Sequence, residues 1–364
     1  MGKPMRVAVI GCGSISAAYF ATLARVSNVE VVSVTDLDPD LAARAADDQG
    51  VPVREFADVL ADPEVDAILN ITPPRAHASL CIEALRAGKH VYVEKPFAAT
   101  AEEADELLRV GQETGRRIGS APDTVLGTGL QTARQVIDAG TIGRPIAATA
   151  TMLNEGFESW HPGAAFMYLP GGGPLLEMGV YYIASLVSLF GPIARVYGQG
   201  ARGRDVRIVP EGAPQAGREL PVEIDTFVSA TLRHRDGVIS TLLTSYDVVA
   251  TTLPPIEAYG TTGTVLVPNP NAFDDPVLVS DGGEFRTVEP TAGFAGADRG
   301  YGLSDMARAL RRGEPHRQSA EFGHHVNDVM TMVLASCADG LARPIASTCE
   351  RPAPVALGAR PDDD

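Results

Sequence analysis

Over the first 120 residues, short and nearly unbroken apolar runs alternate with segments in which apolar residues recur every three or four positions. The runs fall at 5–10, 29–35, 65–71, 89–94 and 116–120 and are rich in Val, Ile and Ala. Strands covered on both faces of a parallel sheet have this composition, because neither side of the strand meets water. The intervening segments, 14–26, 39–48, 76–87 and 100–114, carry helical periodicity. Asp62-Pro63 and Thr72-Pro73-Pro74 mark turns. The pattern predicts a doubly wound parallel α/β domain over residues 1–121.

After Pro122 the grammar changes. An amphipathic helix is predicted over 126–139, ending at Gly140, and a strand over 145–154. An irregular stretch from Asn154 to Pro174 holds the only tryptophan, and a helix over 175–190 is stopped by Gly191-Pro192. Alternating runs at 195–202, 226–235, 238–248, 255–267 and 276–289 read as strands, two of them joined by the hairpin turn Arg235-Asp236-Gly237. Residues 203–222, rich in Gly, Pro and charge, read as a loop, and 293–302 as a flexible piece before helices at about 303–312 and 319–340. Residues 122–350 are thus expected to form an α+β domain with an open, largely antiparallel sheet. Residues 351–364, ending Pro361-Asp362-Asp363-Asp364, read as a flexible tail.

A chain of 364 residues accommodates two domains with cores of their own. The net charge of −16 argues against nucleic acid and anionic membranes as partners, since both demand a basic footprint. No apolar run approaches the roughly 20 residues that cross a bilayer. Gly2-Lys3-Pro4 leads straight into a strand, without the apolar segment and cleavage site of a signal peptide. Cys12, Cys81, Cys337 and Cys349 form no C-x-x-C pair, which suits a reducing cytoplasm and offers no zinc framework. His324 and His325 read as packed or exposed helix residues, and no metal is expected there.

The clearest chemistry lies in the first turn. Strand 5–10 runs into Gly11-Cys12-Gly13-Ser14-Ile15-Ser16, and the next strand ends at Asp36. Gly11 permits the tight turn, and Gly13 lets the backbone approach a pyrophosphate. The phosphate would rest on amides at the helix start, those of Ser14 and Ile15. Ser16 stands in place of the usual third glycine and is small enough for close helix–strand packing. Asp36, 25 residues after Gly11, sits where an acid binds both ribose hydroxyls of an adenosine half. A carboxylate also repels a 2′-phosphate, and no Arg follows before Arg44, so the expected cofactor is NAD rather than NADP. The alternative is an ordinary strand-to-helix loop. Cys12 inside the turn reads as a small packing residue.

Glu94-Lys95-Pro96 follows strand 89–94 at its carboxyl edge, where open α/β sheets bind ligands. An ammonium there can polarise a hydroxyl or carbonyl oxygen, Glu94 can hold it, and Pro96 fixes the backbone after it. A strand-end lysine by itself is usually a surface charge.

With Gly11–Ser16, Thr72-Pro73-Pro74-Arg75-Ala76-His77 and Glu94-Lys95-Pro96 in that order, the chain resembles the Gfo/Idh/MocA family. Ile142-Gly143-Arg144-Pro145, Gly171-Gly172-Gly173-Pro174-Leu175-Leu176-Glu177 and Tyr259-Gly260-Thr261-Thr262-Gly263-Thr264 extend the resemblance over nearly the whole chain. The resemblance implies an NAD(P)-dependent oxidoreductase of sugars, glycosides or cyclitols, with Lys95 catalytic. It places Thr72, Pro73 and His77 along the cofactor, Thr72 and Pro73 touching it mostly through backbone and His77 more structural. It also implies a homo-oligomer, dimer or tetramer, built on the open sheet.

The family's second motif carries an Asp and, four residues later, a His. Glu177 and Tyr181 stand in those places here, as in family members with Tyr in the His position. On a helix over 175–190 a four-residue step returns both to one face. The implied mechanism has Tyr181 take the proton of a secondary hydroxyl, Lys95 stabilise the alkoxide, and Glu177 bind a neighbouring hydroxyl or tune Lys95. Tyr181 and Tyr182 read equally as core aromatics, and His161 is then the substitute acid/base, with Trp160 beside it to stack on a sugar face. Asp123, at the expected domain junction, reads as an acceptor of sugar hydroxyls or as a loop cap. Two other functional readings stay open: a tightly held NAD cycling between two sugars, and a dinucleotide-binding sensor that has lost the chemistry.

Overall fold

The computed structural model describes residues 2–161 and 163–363. Five strands, β1 (Met5–Ile10), β2 (Val29–Thr35), β3 (Ala67–Asn70), β4 (His90–Val93) and β5 (Ile118–Ser120), form a parallel sheet in the order β2-β1-β3-β4-β5. Every residue of β3 is buried, as its unbroken apolar run requires. The connecting helices are α1 (Ser16–Leu23), α2 (Pro39–Gln49), α3 (Phe56–Ala61), α4 (His77–Arg86) and α5 (Ala101–Thr114). α2 shows why its ends fall where they do. Asp38 accepts the amides of Asp40 and Leu41 at 2.9 and 3.3 Å, Pro39 opens the first turn, and left-handed Gly50 closes the last. α3, only six residues long, is absent from the expected elements because so short a segment shows little periodicity.

The second sheet has nine strands. These are β6 (Pro145–Leu153), β7 (Ile193–Ala201), β10 (Phe227–His234), β11 (Ile239–Ser245), β12 (Ile256–Gly260), β13 (Thr264–Val267), β14 (Val277–Ser280), β15 (Arg286–Val288) and β16 (Arg343–Pro344). Their order is β15-β14-β13-β12-β6-β11-β10-β7-β16, antiparallel throughout except for the β6–β11 pair. The expected single runs 255–267 and 276–289 are each two strands folded on a tight turn. The expected loop 203–222 contains a separate two-stranded ribbon, β8 (Val206–Ile208) with β9 (Glu219–Pro221). α6 (Thr128–Asp138) precedes this sheet in the chain, and α7 (Val180–Phe190), all of it buried, packs against β6. Side chains of the opposite face are exposed or half-buried. Tyr197, Thr231, Thr241, Thr149 and Glu257 are neighbours in register across it.

α8 (Tyr301–Arg312) and the start of α9 (Ala320–Asp339) return to the first sheet. Leu303, Met306 and Ala307 of α8 join Val7, Val9, Tyr19 and Tyr92 in one core on one face of that sheet. The other face is closed by α4 and α5 through Cys81, Leu85, Leu107 and Val110. The chain therefore divides differently from the expected 1–121, 122–350 and 351–364. One compact unit is built from the chain up to Gln131, from Pro290–Asn327 and from Pro352 onward, and the other from Thr132–Glu289 and Asp328–Arg351. A five-stranded sheet needs both faces covered, and α8 supplies cover that local sequence pattern does not announce.

The expected flexible tail is also part of the first unit. Val355 is buried, donates its amide to Gln131 Oε1 at 3.0 Å and accepts that of Gly293 at 3.0 Å. Asp362 accepts both the amide and the hydroxyl of Ser27 at 2.9 Å. Asp364 lies outside the described residues. No helix among the described residues is long and apolar enough to cross a membrane. Truncation before Pro352 is expected to lower the melting temperature by roughly 5–10 °C, the scale set by losing the buried Pro352, Val355 and Pro361 and their bonded backbone. Thermal unfolding followed by circular dichroism measures it, and an unchanged midpoint would show that the segment adds nothing.

Candidate functional site

The turn after β1 is shaped by a close approach. Gly11 has φ +97°, and a Cβ there would lie 2.8–2.9 Å from the backbone of Ile71 and Thr72. No other residue fits that position. A Cβ on Gly13 would meet nothing within 4 Å, so that side of the turn is open to a ligand. Ser14 and Ile15 lead into α1, whose N-terminus has no side-chain cap; the Ser16 amide turns back to Gly13 O at 3.1 Å, and the amides of Ser14 and Ile15 precede it on the side where an anion would sit. Ser16 takes the place of the third glycine and bonds its hydroxyl back to Gly13 O at 2.7 Å. Asp36 accepts the amides of Cys12 at 2.6 Å and Asp38 at 2.8 Å. The carboxylate is thereby fixed at the end of β2 beside the turn, and each oxygen keeps a lone pair for a ribose hydroxyl. Leu37 next to it is fully exposed, an apolar surface available to a flat ring, and the sequence reading did not single it out. These features fit a dinucleotide. Burial and the Asp36 charge push the Cys12 thiol up to about 11, which agrees with packing and not with nucleophilic use.

Beyond β4, Lys95 is half-buried and its backbone is held firmly. Glu94 is buried. Its Oε1 accepts the Tyr19 hydroxyl at 3.0 Å and its Oε2 accepts the Lys95 amide at 2.7 Å. Glu94 thus holds the lysine through the main chain. Tyr19, unremarked in the sequence, is fully buried, and burial, with Glu94 next, raises its pKa. His77 has no exposed surface, so it does not touch a cofactor. Its ring nitrogens face two carbonyls, Pro96 O and Thr72 O, each at 2.8 Å. Thr72 is held in turn by Asn70 Oδ1, which accepts its amide at 3.2 Å and its hydroxyl at 2.6 Å. Pro73 ends this turn in extended conformation before α4.

Asp123 is a correction. Expected to meet sugar hydroxyls, it is 1% exposed and bonds the amides of Gly300 and Gly302 at the start of α8, together with the Tyr92 hydroxyl. Its Oδ2 accepts those two amides and so caps the start of α8. Tyr92 has one proton and two acceptors, Asp123 and, at 3.1 Å, Gln318 Oε1, while Gln318 Nε2 donates to Pro122 O. Both Tyr92 contacts are satisfied when Asp123 carries a proton and donates to Tyr92. Burial pushes Asp123 up to about 6, against the lowering effect of its hydrogen bonds.

In the second unit, Glu177 lies in a π-helical turn, Leu175–Gly179, and Tyr181 in the α-helix that follows. The step between them therefore crosses a π/α junction, unlike the continuous helix expected, and such turns recur at functional sites. Both side chains are buried, at 7% and 4% exposure. Tyr182 is also buried, which pushes it up to about 12. Tyr246, at the end of β11, was missed by the sequence reading. Its hydroxyl lies 3.5 Å from Gly173 O, and burial, then the Glu177 charge, raises its pKa. The polar Ser245-Tyr246-Asp247 ending of an apolar strand was the available signal. Phe157 stacks edge-on to both Tyr246 and Trp160, at 5.2 and 5.4 Å between ring centres, and Trp160 is 61% exposed. His161 is half-buried and accepts the Gly163 amide at 3.1 Å.

A cavity of about 630 Å³ is bordered by Asn154, Glu158, Arg207, Tyr246 and Asp247. Arg207, placed in the expected loop, is buried on β8. It donates to Glu158 at 2.6 Å, Asp247 at 2.8 Å and Tyr246 O at 2.7 Å, so its charge is compensated on all sides.

Residues 5–121 match the family described as an oxidoreductase family with an NAD-binding Rossmann fold, GFO/IDH/MocA, and residues 130–266 match the C-terminal domain of the same family. An uncharacterized oxidoreductase of Rhizobium meliloti is 29% identical over 348 residues, 92% of this chain and 98% of that protein. Inositol 2-dehydrogenase of Ralstonia nicotianae is 33% identical over 147 residues, 39% of this chain and 44% of that enzyme. Levoglucosan dehydrogenase, crystallised with NADH and L-sorbose, superposes with a TM-score of 0.80 at 21% identity, covering 95% of this chain and all of that one.

Two substitutions test the geometry. Gly11→Ala is expected to weaken NADH binding, read by fluorescence titration, by tenfold or more, and also to lower stability. Asp123→Asn mimics the protonated acid. A folded pKa near 6 against 3.8 unfolded means that the stability Asp123 contributes is complete below about pH 4 and is lost as pH rises through 6. The Asn variant lacks that loss, so its stability relative to wild type should improve by about 2–3 kcal/mol between pH 4 and 7. Denaturant unfolding at both pH values checks the sign. Parallel curves for the two proteins would count against a protonated Asp123.

Proposed function

The chain belongs to the GFO/IDH/MocA family of NAD-binding oxidoreductases, and from that premise we propose that it oxidises a secondary hydroxyl of a sugar, glycoside or cyclitol, or reduces the corresponding ketone. The observation that carries this reading is Lys95 at the carboxyl edge of the parallel sheet, its amide bonded to Glu94, after a turn formed for a dinucleotide. The substrate class is supported by relatives that act on inositol and levoglucosan.

NAD, when bound, supplies the hydride acceptor. Asp36 would bind the adenosine ribose, the amides of Ser14 and Ile15 would hold the pyrophosphate, and Thr72 and Pro73 would touch the cofactor mostly through backbone. Lys95 stabilises the developing alkoxide as a fixed positive charge. Tyr181 takes the hydroxyl proton, and Glu177 binds an adjacent hydroxyl and sets the substrate's orientation. Trp160, exposed and braced by Phe157, offers a flat apolar face to a sugar ring. His161 is the substitute for Tyr181 in the proton transfer. The bare face of the nine-stranded sheet is the surface for a homodimer or tetramer. The compartment we assign is the cytoplasm, on the chain's cysteine usage.

Absorbance at 340 nm during a screen of sugars, glycosides and inositols, with NAD and separately with NADP, tests the reading. Turnover of one compound class with NAD is expected, and Lys95→Ala and Tyr181→Phe are expected to lower kcat by about 10²–10⁴. Full activity in Tyr181→Phe, lost in His161→Ala, would move the acid/base role to His161. Silence across the panel with NAD released on denaturation would point to a closed cycle between two sugars. Silence without any NAD affinity would remove the dehydrogenase reading.

A further inference from the structure

Neutral imidazole has one N–H, and a carbonyl oxygen has no proton to offer. His77 faces a carbonyl at each ring nitrogen, Pro96 O at Nδ1 and Thr72 O at Nε2, both at 2.8 Å. Only the doubly protonated ring makes both bonds; in the neutral ring a nitrogen lone pair is pressed against a carbonyl lone pair, and that contact must open. The two carbonyls belong to separate loops at the carboxyl edge of the first sheet. Pro96 O lies one residue beyond Lys95, and Thr72 O sits in the turn whose backbone presses on Gly11.

Other hydrogen bonds also anchor these loops. The Lys95 amide is bonded to Glu94, which Tyr19 holds. Thr72 hangs on Asn70 Oδ1, and Asn70 Nδ2 donates to the His77 carbonyl at 3.2 Å and to Cys81 Sγ at 3.4 Å. His77 is thus the one connection between the two loops in this set whose hydrogen-bond count depends on a proton.

We propose that His77 is a positioning residue for Lys95: a clamp that ties the segment after Lys95 to the cofactor-side turn through two ring N–H groups, and releases one of them on losing a proton. It acts through Pro96 and Thr72 and touches neither cofactor nor substrate. The charged groups that bear on the ring are Glu94, which favours its protonated form, and Lys95, which opposes it. Burial is the largest influence and also opposes protonation, so the clamp closes on the acid side of the ordinary histidine range and opens toward neutrality. The proposal rests on the reading of Lys95 as the substrate-facing cation, but the state of the ring is measured without any substrate.

The experiment uses the full chain labelled with ¹⁵N-histidine. Its ring signals are followed from pH 5 to pH 8, with the His77 signal assigned by its absence in His77→Gln. NADH affinity is measured by fluorescence over the same range. The expected result is a His77 ring with both nitrogens protonated at the acid end that loses one proton with a midpoint below 6.5, accompanied by a several-fold step in NADH affinity at the same midpoint. His77→Gln, whose amide donates without titrating, should bind NADH with no step; His77→Asn serves if that variant does not fold. Lys95→Ala should keep the ring titration and lose or shrink the step. A single ring proton across the whole range, or a titration without any step in NADH affinity, overturns the clamp. A step that survives unchanged in Lys95→Ala overturns the link to Lys95 while leaving the ring titration in place. Neither outcome depends on which sugar the enzyme turns over.

Discussion

The approach of Gly11 to the backbone of Ile71 and Thr72 sets the geometry on which the dinucleotide site depends. Two neighbouring strands, β1 and β3, end in turns pressed together so closely that a single added carbon would lie 2.8 Å from a carbonyl. From that contact the rest follows outward. Thr72 is fixed, so its carbonyl is presented to His77, and His77 reaches the Pro96 carbonyl in the next loop. Glu94 and Tyr19 hold the same loop from its other side. A site assembled from three loops needs such cross-links, because loop backbone is otherwise the most mobile part of a fold.

The parallel sheet was legible in the sequence because burial on both faces leaves an unmistakable composition, and the Gly11–Asp36 unit because a pyrophosphate constrains residue type at fixed spacing. What escaped was tertiary in origin. α8 reads as a helix from its own pattern, but nothing in residues 301–312 says that Leu303 and Met306 complete the core around Tyr19 and Tyr92. The segment from Pro352 looked like a tail since Pro, Gly and Asp dominate it. The buried Val355, its backbone bonds and the Asp362 carboxylate on Ser27 pin it down. The 203–222 stretch looked polar enough for a loop, although Val206-Arg207-Ile208-Val209 alternates like a strand, with the arginine on the inside.

Candidate residues divided along the same line. Gly11, Gly13, Asp36 and Lys95 lie at the carboxyl ends of β1, β2 and β4, because each was identified by a relation to that edge. Asp123 was chosen for its type and its place near a domain junction, and neither property reports exposure. Its carboxyl turned out to cap α8 beside Tyr92, where burial favours the protonated acid. Arg207 is the converse: a buried cation invisible to sequence reasoning, since its partners Glu158 and Asp247 lie 49 and 40 residues away. Long-range charge pairing has no local signature.

A tyrosine in the proposed acid/base role has an energetic consequence. A phenol is a weak base unless a cation lowers its pKa, and burial works against ionisation. That tendency is visible in Tyr182, pushed up to about 12 by burial, and in Tyr246, raised by burial and by the Glu177 charge. In oxidation, Tyr181 in its proposed role has to begin as phenolate, which requires the positive charges of Lys95 and the oxidised nicotinamide close by. In reduction it begins neutral and gives its proton to the forming alkoxide, with no prior ionisation to overcome. A histidine, neutral and basic near pH 7, serves both directions with little adjustment. In the proposed role, the tyrosine thus makes oxidation depend on the positive charge delivered with the cofactor, a demand that reduction does not share.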